Sequence, residues 1–272
     1  MQLGVFVSLE DGPRVMAHVR ELGFATCQVG CWNTARMTQE AARELRQSAD
    51  AAGVEITTLW AGAPGAYVWN FIDGPRSIGL VPPGTRTQRL EALKHGSDFA
   101  CWVGLPSITT HVGFIPENPD DAQYAPVVAV LRDLAAHCQT NGQQFWFETG
   151  QETPITLLRT IQDIGLDNLG INLDPANLLL YGKGNPVDAL DVFGPYVRGV
   201  HAKDGEYPTN GRELGQEKPL GQGRVNFPAL LARLRTLGYA GALTIEREIS
   251  GDQQIADIQA GKAFLERLLA EA

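Results

Sequence analysis

Residues 169–174 read LGINLD, and the alternation in those six positions decides the fold. Successive side chains of a strand point to opposite faces, so Leu169, Ile171 and Leu173 share one side and Gly170, Asn172 and Asp174 the other. The aliphatic side has to be covered by other elements. The opposite side runs from small to polar to acidic, which no aliphatic core accommodates. A strand with helices packed outside and an ionisable group at its inward carboxyl end is the pattern of a closed α/β barrel.

Working outward, the same short apolar runs recur along the whole chain. Strands are expected at 2–7 (QLGVFV), 25–29 (ATCQV), 54–60 (VEITTLW), 106–111 (PSITTH), 144–148 (QFWFE), 197–201 (VRGVH) and 242–246 (ALTIE). Amphipathic stretches lie between them, among them 39–52, 86–102, 121–141, 227–237 and 253–270. Asn118-Pro119, Thr153-Pro154 and Asn226 before Phe227-Pro228 each set a capping side chain beside a first-turn proline. Eight βα units in 272 residues predict a single-domain (β/α)8 TIM barrel rather than an open doubly wound sheet. Residues 7–15 (VSLEDGPRV) also lack the glycine pattern of a dinucleotide-binding first turn.

Bulk composition narrows the function classes. Hydrophobic residues at 44% and charged residues at 19% suit a large core. A net charge of −9 without a basic stripe argues against nucleic-acid binding. No apolar run of membrane-spanning length occurs, and the first residues lack the basic start of a signal peptide, so a cytoplasmic setting is expected. Cys27, Cys31, Cys101 and Cys138 form no CxxC pair. Cys27 is placed in a strand and Cys31 in the turn after it, and all four read as buried or incidental thiols.

Strand parity picks out the chemistry. In 242–246 the outward pair is Leu243 and Ile245, which leaves Ala242, Thr244 and Glu246 inward. His201 shares a face with Gly199 and Lys203, and Glu148 with Trp146 and Gln144. Four successive strands therefore end in Glu148, Asp174, His201 and Glu246 at one rim. Three carboxylates converging on one axis repel one another strongly in a partly desolvated site. One divalent cation relieves that repulsion, and carboxylates plus imidazole suit Mn2+, Mg2+, Co2+ or Zn2+. His111 closes the fourth strand as a candidate substrate contact or orienting group. Lys203 is a candidate to stabilise negative charge on a substrate oxygen. Arg224, in the turn PLGQGRVNF (219–227), is a further candidate contact. Long connections at 61–84 and 202–225 follow strands three and seven, so both belong to the carboxyl rim as candidate lids. Trp69 and Phe71 in the first, with Trp60, are candidates to hold the apolar face of a sugar.

At these residues the chain resembles the xylose isomerase-like TIM barrels of the sugar phosphate isomerase/epimerase superfamily. The likeness rests on FWFETGQET, GINLDPANLLLYGKGNPVDAL, VRGVHAKDG and PLGQGRVNFPALLARLRTLGYAGALTIERE, in that order. The first half of the chain agrees only in its βα rhythm. The resemblance implies that Glu148, Asp174, His201 and Glu246 are the metal ligands. It also implies that Glu148 and Glu246 double as acid–base groups, as in keto-sugar epimerases. Related epimerases often carry His three residues after the strand-six Asp, where this chain has Asn177, a group that can hydrogen-bond substrate but cannot titrate.

The expected chemistry is proton abstraction beside a carbonyl of a small sugar-like substrate. The metal would chelate adjacent oxygens and stabilise an enediolate. Metal-dependent β-elimination from a keto-sugar or keto-inositol is the alternative reaction, and a non-catalytic ligand-binding barrel the alternative function. DNA repair of the AP endonuclease kind fits poorly, given five histidines and net charge −9. Homo-oligomerisation suits the fold, with no sequence feature that fixes its stoichiometry.

Overall fold

The computed structural model describes residues 1–12 and 14–271. Its barrel strands are β1 (Gln2–Ser8), β2 (Thr26–Cys31), β3 (Glu55–Ala61), β4 (Ser107–Thr110), β5 (Gln144–Glu148), β6 (Leu169–Leu173), β7 (Val197–Ala202) and β10 (Ala242–Ile245). They close in the order β1-β10-β7-β6-β5-β4-β3-β2, every pair parallel. The helices are α1 (Val15–Glu21), α2 (Gln39–Ala52), α3 (Gly74–Ser77), α4 (Arg86–Val103), α5 (Tyr124–Thr140), α6 (Pro154–Ile164), α7 (Pro175–Leu180), α8 (Pro186–Phe193), α9 (Phe227–Thr236) and α10 (Asp252–Ala270). Two short antiparallel strands, β8 (Asp204–Gly205) and β9 (Glu217–Lys218), pair in the connection after β7. The chain is a single TIM barrel.

The aliphatic core lies between strands and helices. Val5, Val29, Leu59, Ile108, Phe147, Ile171, Val200 and Leu243 point outward and are almost wholly buried; each such side chain contributes roughly 1.5–3 kcal/mol by leaving water. Inside the barrel the residues are small or polar, as parity requires. Trp146 fits there only because its neighbours lack side chains. A Cβ on Gly170 would stand 2.6 Å from Trp146 Cδ1, and one on Gly199 would stand 2.4 Å from Asn172 Oδ1. Register shifts fall between Cys27 and Gln28 and between Ile171 and Asn172. An extra residue in a neighbouring strand re-aims the side chains that follow, and Gln28 and Asn172 are the two residues so placed.

Two helix starts match their sequence signals. Thr153 accepts a hydrogen bond from the Thr156 amide at the start of α6, and Asn226 accepts from that of Ala229 at α9. The third does not. Asn118 turns back on the Asp120 amide, and α5 begins only at Tyr124, because Asn118 and Asp121 each form local side-chain turns that compete with helix. Cys31 is the last residue of β2 rather than part of the turn, since the strand continues pairing to Ala61 of β3.

The connection after β3 is pinned. Arg89, only 1% exposed, reaches from α4 and donates to the carbonyls of Pro64, Ala66, Ser77 and Gly79 at 2.6–3.1 Å. Its guanidinium also lies 4.3 Å above the Tyr67 ring. Those contacts fix the aromatic residues of this loop over the barrel mouth. After β7, the buried Asp204 does similar work. Its carboxylate accepts from the amides of Gly205, Gly221, Gly223 and Val225 at 2.8–3.0 Å.

Candidate metal centre and active site

Glu148 ends β5, Asp174 follows β6, His201 lies in β7, and Glu246 follows β10. One ligand atom from each falls within 4.8 Å of all the others. His201 Nδ1 is 3.0 Å from Glu148 Oε1, 3.2 Å from Glu246 Oε2 and 3.8 Å from Asp174 Oδ2. Glu148, Asp174 and His201 are buried and Glu246 is nearly so.

The rest of the barrel aims these atoms. Gln28 donates its amide N–H to Asn172 Oδ1 (3.0 Å), which leaves the Gln28 oxygen as an acceptor for His201 Nε2 (2.8 Å). The proton therefore sits on Nε2, and the Nδ1 lone pair faces the carboxylates, the arrangement by which a metal-binding imidazole is oriented. Asp174 caps α7: its Oδ1 accepts from the Asn177 amide (2.8 Å), while Oδ2 has no hydrogen-bond donor. Trp60 donates its indole N–H to Glu148 Oε2. Buried Asp174 Oδ2 and His201 Nδ1 thus both lack hydrogen-bond partners and point at the same spot. A lone pair opposed to three carboxylates is untenable without positive charge between them, so this donor set fits a divalent cation.

Electrostatics agree. Burial by itself lowers the His201 pKa, but Glu246 and Glu148 outweigh it and hold the imidazole well above its ordinary value. In the metal-free chain a proton stands where a cation would. Burial works against ionising Glu246, yet Lys203 and then His201 keep it well below the usual carboxylate range. Glu148 is likewise lowered, with burial opposing and His111 and His201 prevailing. Both glutamates are accordingly ionised and able to accept a proton.

Lys203 lies 3.2 Å from Glu246 Oε2, 3.5 Å from Asp174 Oδ2 and 3.0 Å from Glu248 Oε1, and donates to Asn177 Oδ1 (3.3 Å). It is 1% exposed and lies behind the ligands. Burial opposes its charge, but Glu246, Glu248 and Asp174 raise its pKa well above the ordinary lysine value. His111 Nε2 is 3.6 Å from Glu148 Oε1, and Trp69 stands edge-on to His111 with ring centroids 5.4 Å apart. His111, Asn177 and Trp69 line the same cavity as Glu148 and Glu246. Arg224 is not brought there: its side chain is exposed, and its backbone amide donates to the Gly205 carbonyl. Sequence reasoning passed over Gln28 and Glu248. Gln28 had a legible signal, a long polar residue at an inward position between Cys27 and Val29. Glu248 had none, because it meets Lys203 only through the fold.

The family profile of xylose isomerase-like TIM barrels matches residues 16–268. This chain belongs to that family. A xylose isomerase domain protein from Planctomyces limnophilus, whose crystal structure is known, is 41% identical to it; the match covers 98% of this chain and 96% of the other, with a TM-score of 0.93. A D-tagatose 3-epimerase-like protein shares the fold at 23% identity and TM-score 0.76, over 100% and 99% of the two chains. So does a xylose isomerase-like TIM barrel protein from Mycobacterium smegmatis, solved in complex with magnesium, at 18% identity and TM-score 0.72, over 99% and 97%. Family members thus place their catalytic rim on the barrel end where these four residues meet. No helix among the described residues is long and apolar enough to cross a membrane.

Proposed function

We propose that the protein is a divalent-metal-dependent isomerase or epimerase of a keto-sugar-like substrate. One observation carries this reading: His201 Nδ1 and Asp174 Oδ2, both buried and unpartnered, converge with Glu148 and Glu246 at the floor of an open cavity. The epimerase-like and magnesium-bound relatives support it. Glu148, Asp174, His201 and Glu246 would hold the cation, which when bound supplies Lewis-acid polarisation of a substrate carbonyl and hydroxyl.

The chain's own residues supply the rest. Glu246, kept ionised by Lys203, removes the proton from the carbon beside the carbonyl. Glu148, steadied by the Trp60 N–H, returns a proton to the opposite face of that carbon or to its neighbour. Asn177 and His111 hydrogen-bond substrate hydroxyls, Asn177 by an amide that needs no titration. Trp32 and Trp69 cover the apolar face of the sugar and exclude water from the charged intermediate. The net charge of −9 and the four free cysteines are in keeping with a small neutral substrate, no nucleic-acid partner and a reducing cytoplasmic setting. Self-association is part of this reading only as a property common to the fold.

Glu246→Gln keeps the shape of the site and removes the base. With Mn2+ present, it should stop solvent-deuterium incorporation into a keto-sugar substrate by at least a thousandfold while the circular dichroism spectrum stays the same. Retained exchange would overturn the assignment. A dehydrated product in place of a stereoisomer would convert the reaction to β-elimination by the same base.

A further inference from the structure

The cavity that holds the carboxylates does not end at them. Its volume is about 590 Å3, inside the range of roughly 300–1,000 Å3 that encloses a drug-sized ligand. A single hexose leaves much of it open. One end lies against Trp60, Trp69, His111 and Glu148. From there the cavity passes Glu246 and the carboxyl end of β1 and runs out between α1 and α10, where Leu22, Ile249, Ile255 and Ile258 line it.

The opening follows from the helix layer. Neighbouring helices pack along the ring from α1 through α2, α4, α5, α6 and α8 to α9. Among the described residues α1 and α10 make no contact of that extent. The first is only 7 residues long, so it leaves part of the outer face of β1 to be covered by something else. The cleft is apolar, and its polar edge is not cationic. Asp11 and Glu248 border it, and its only arginine, Arg247, is held by Glu217 (2.7 Å) and Asp257 (2.8 Å). His18, at the far end, faces Glu21 at 3.6 Å. Such a lining repels a phosphate and favours a neutral apolar group.

Resting on the isomerase reading above, we infer that the substrate is a keto-glycoside. Its sugar ring sits between Glu148 and Glu246, against the half-exposed indoles of Trp32 and Trp69. Its apolar aglycone occupies the cleft between α1 and α10. The chemistry constrains where the carbonyl lies. With the anomeric carbon bonded to the aglycone oxygen, the carbonyl is on another ring carbon, and the proton removed belongs to the adjacent CHOH carbon. Glu246 takes that proton, the electron pair passes into the carbonyl, and Glu148 returns a proton to the same carbon from the opposite face. The glycosidic bond stays intact and no co-reactant is consumed.

The test compares methyl 3-keto-β-D-glucopyranoside with its 4-nitrophenyl counterpart and with D-fructose. The full chain is loaded with Mn2+ in D2O, and loss of carbon-bound protons is followed by NMR. The aryl glycoside is expected to exceed the methyl glycoside at least tenfold in kcat/KM, and D-fructose to be the poorest of the three. Ile255, half-exposed on α10, provides the second arm. Ile255→Glu should lower kcat/KM for the aryl probe at least tenfold more than for the methyl probe. Equal rates on the two glycosides, or an aryl advantage that survives Ile255→Glu, overturn the inference and leave the isomerase reading standing. Exchange on none of the three sugars overturns both.

Discussion

Gln28 and Glu152 show how single buried side chains act on this molecule in opposite ways. Gln28 is spent in orienting: it accepts from His201 Nε2 and donates to Asn172. Gln28→Leu keeps the volume and removes both bonds, so Mn2+ affinity should fall roughly 10–100-fold, the usual effect of losing a group that orients a metal-binding imidazole. Calorimetric titration measures it; unchanged affinity would show that Gln28 does not set the imidazole. Glu152, in the connection after β5, is 1% exposed and neither carboxylate oxygen has a hydrogen-bond partner. Burial pushes its pKa up to about 8. The folded chain therefore holds a proton that the unfolded chain releases near pH 4.5. The stability linked to this group is complete below about pH 4.5, declines as the pH rises, and is gone once the pH passes about 8. Glu152→Gln should remove that decline, on the order of a few kcal/mol between pH 5 and 8, as read from urea unfolding at each pH.

Among the elements, the connection after β7 depends on one carboxylate. Asp204 accepts from four backbone amides and so ties residues 221–225 to the end of the strand that carries His201. Gly223 is required by the same contact, since a Cβ there would stand 2.2 Å from Asp204 Oδ1. Asp204→Ala leaves those amides without their acceptor, at about 1–3 kcal/mol for each buried donor that water does not reach. Hydrogen exchange should speed up at Gly221, Gly223 and Val225 while the amides of β5 and β6 stay protected. Loss of protection across the whole barrel would mean that the loop is part of the global folding unit. Other elements were legible beforehand. The period-2 alternation of 169–174 and 242–246 predicts both strands and their inward residues, and β6 and β10 carry them as expected. The helix expected from 121 was legible only in part, because Asn118 and Asp121 make turns whose competition with the helix is not visible in apolar spacing.

For the whole molecule, the charged centre joins strands from both halves of the chain, so a cation there should stabilise the entire barrel. At a free Mn2+ concentration of 100 times Kd the gain is about 2.7 kcal/mol, seen as a higher Tm that EDTA reverses. Binding must displace the proton that Glu246 and Glu148 hold on His201, so affinity should rise with pH and proton release should accompany binding. A Tm indifferent to Mn2+ at every pH between 6 and 9 would remove the metal from the account.

The sequence by itself determined the barrel, the rim and the four candidate ligands, because strand parity is a local property and a closed sheet leaves one interior for inward residues to face. It also marked Lys203, His111, Asn177 and Trp69 as neighbours of that rim. Only the tertiary structure decided what each of them touches. Lys203 turned out to stand behind Glu246 and Asp174, Arg224 to lie in solvent, and Gln28, 173 residues from His201, to orient its ring. Those contacts join strands far apart in the chain, and their geometry depends on two register shifts and on the closure of β1 against β10. The cleft between α1 and α10 belongs to the same class: it is space left between helices, and no residue pattern records a gap.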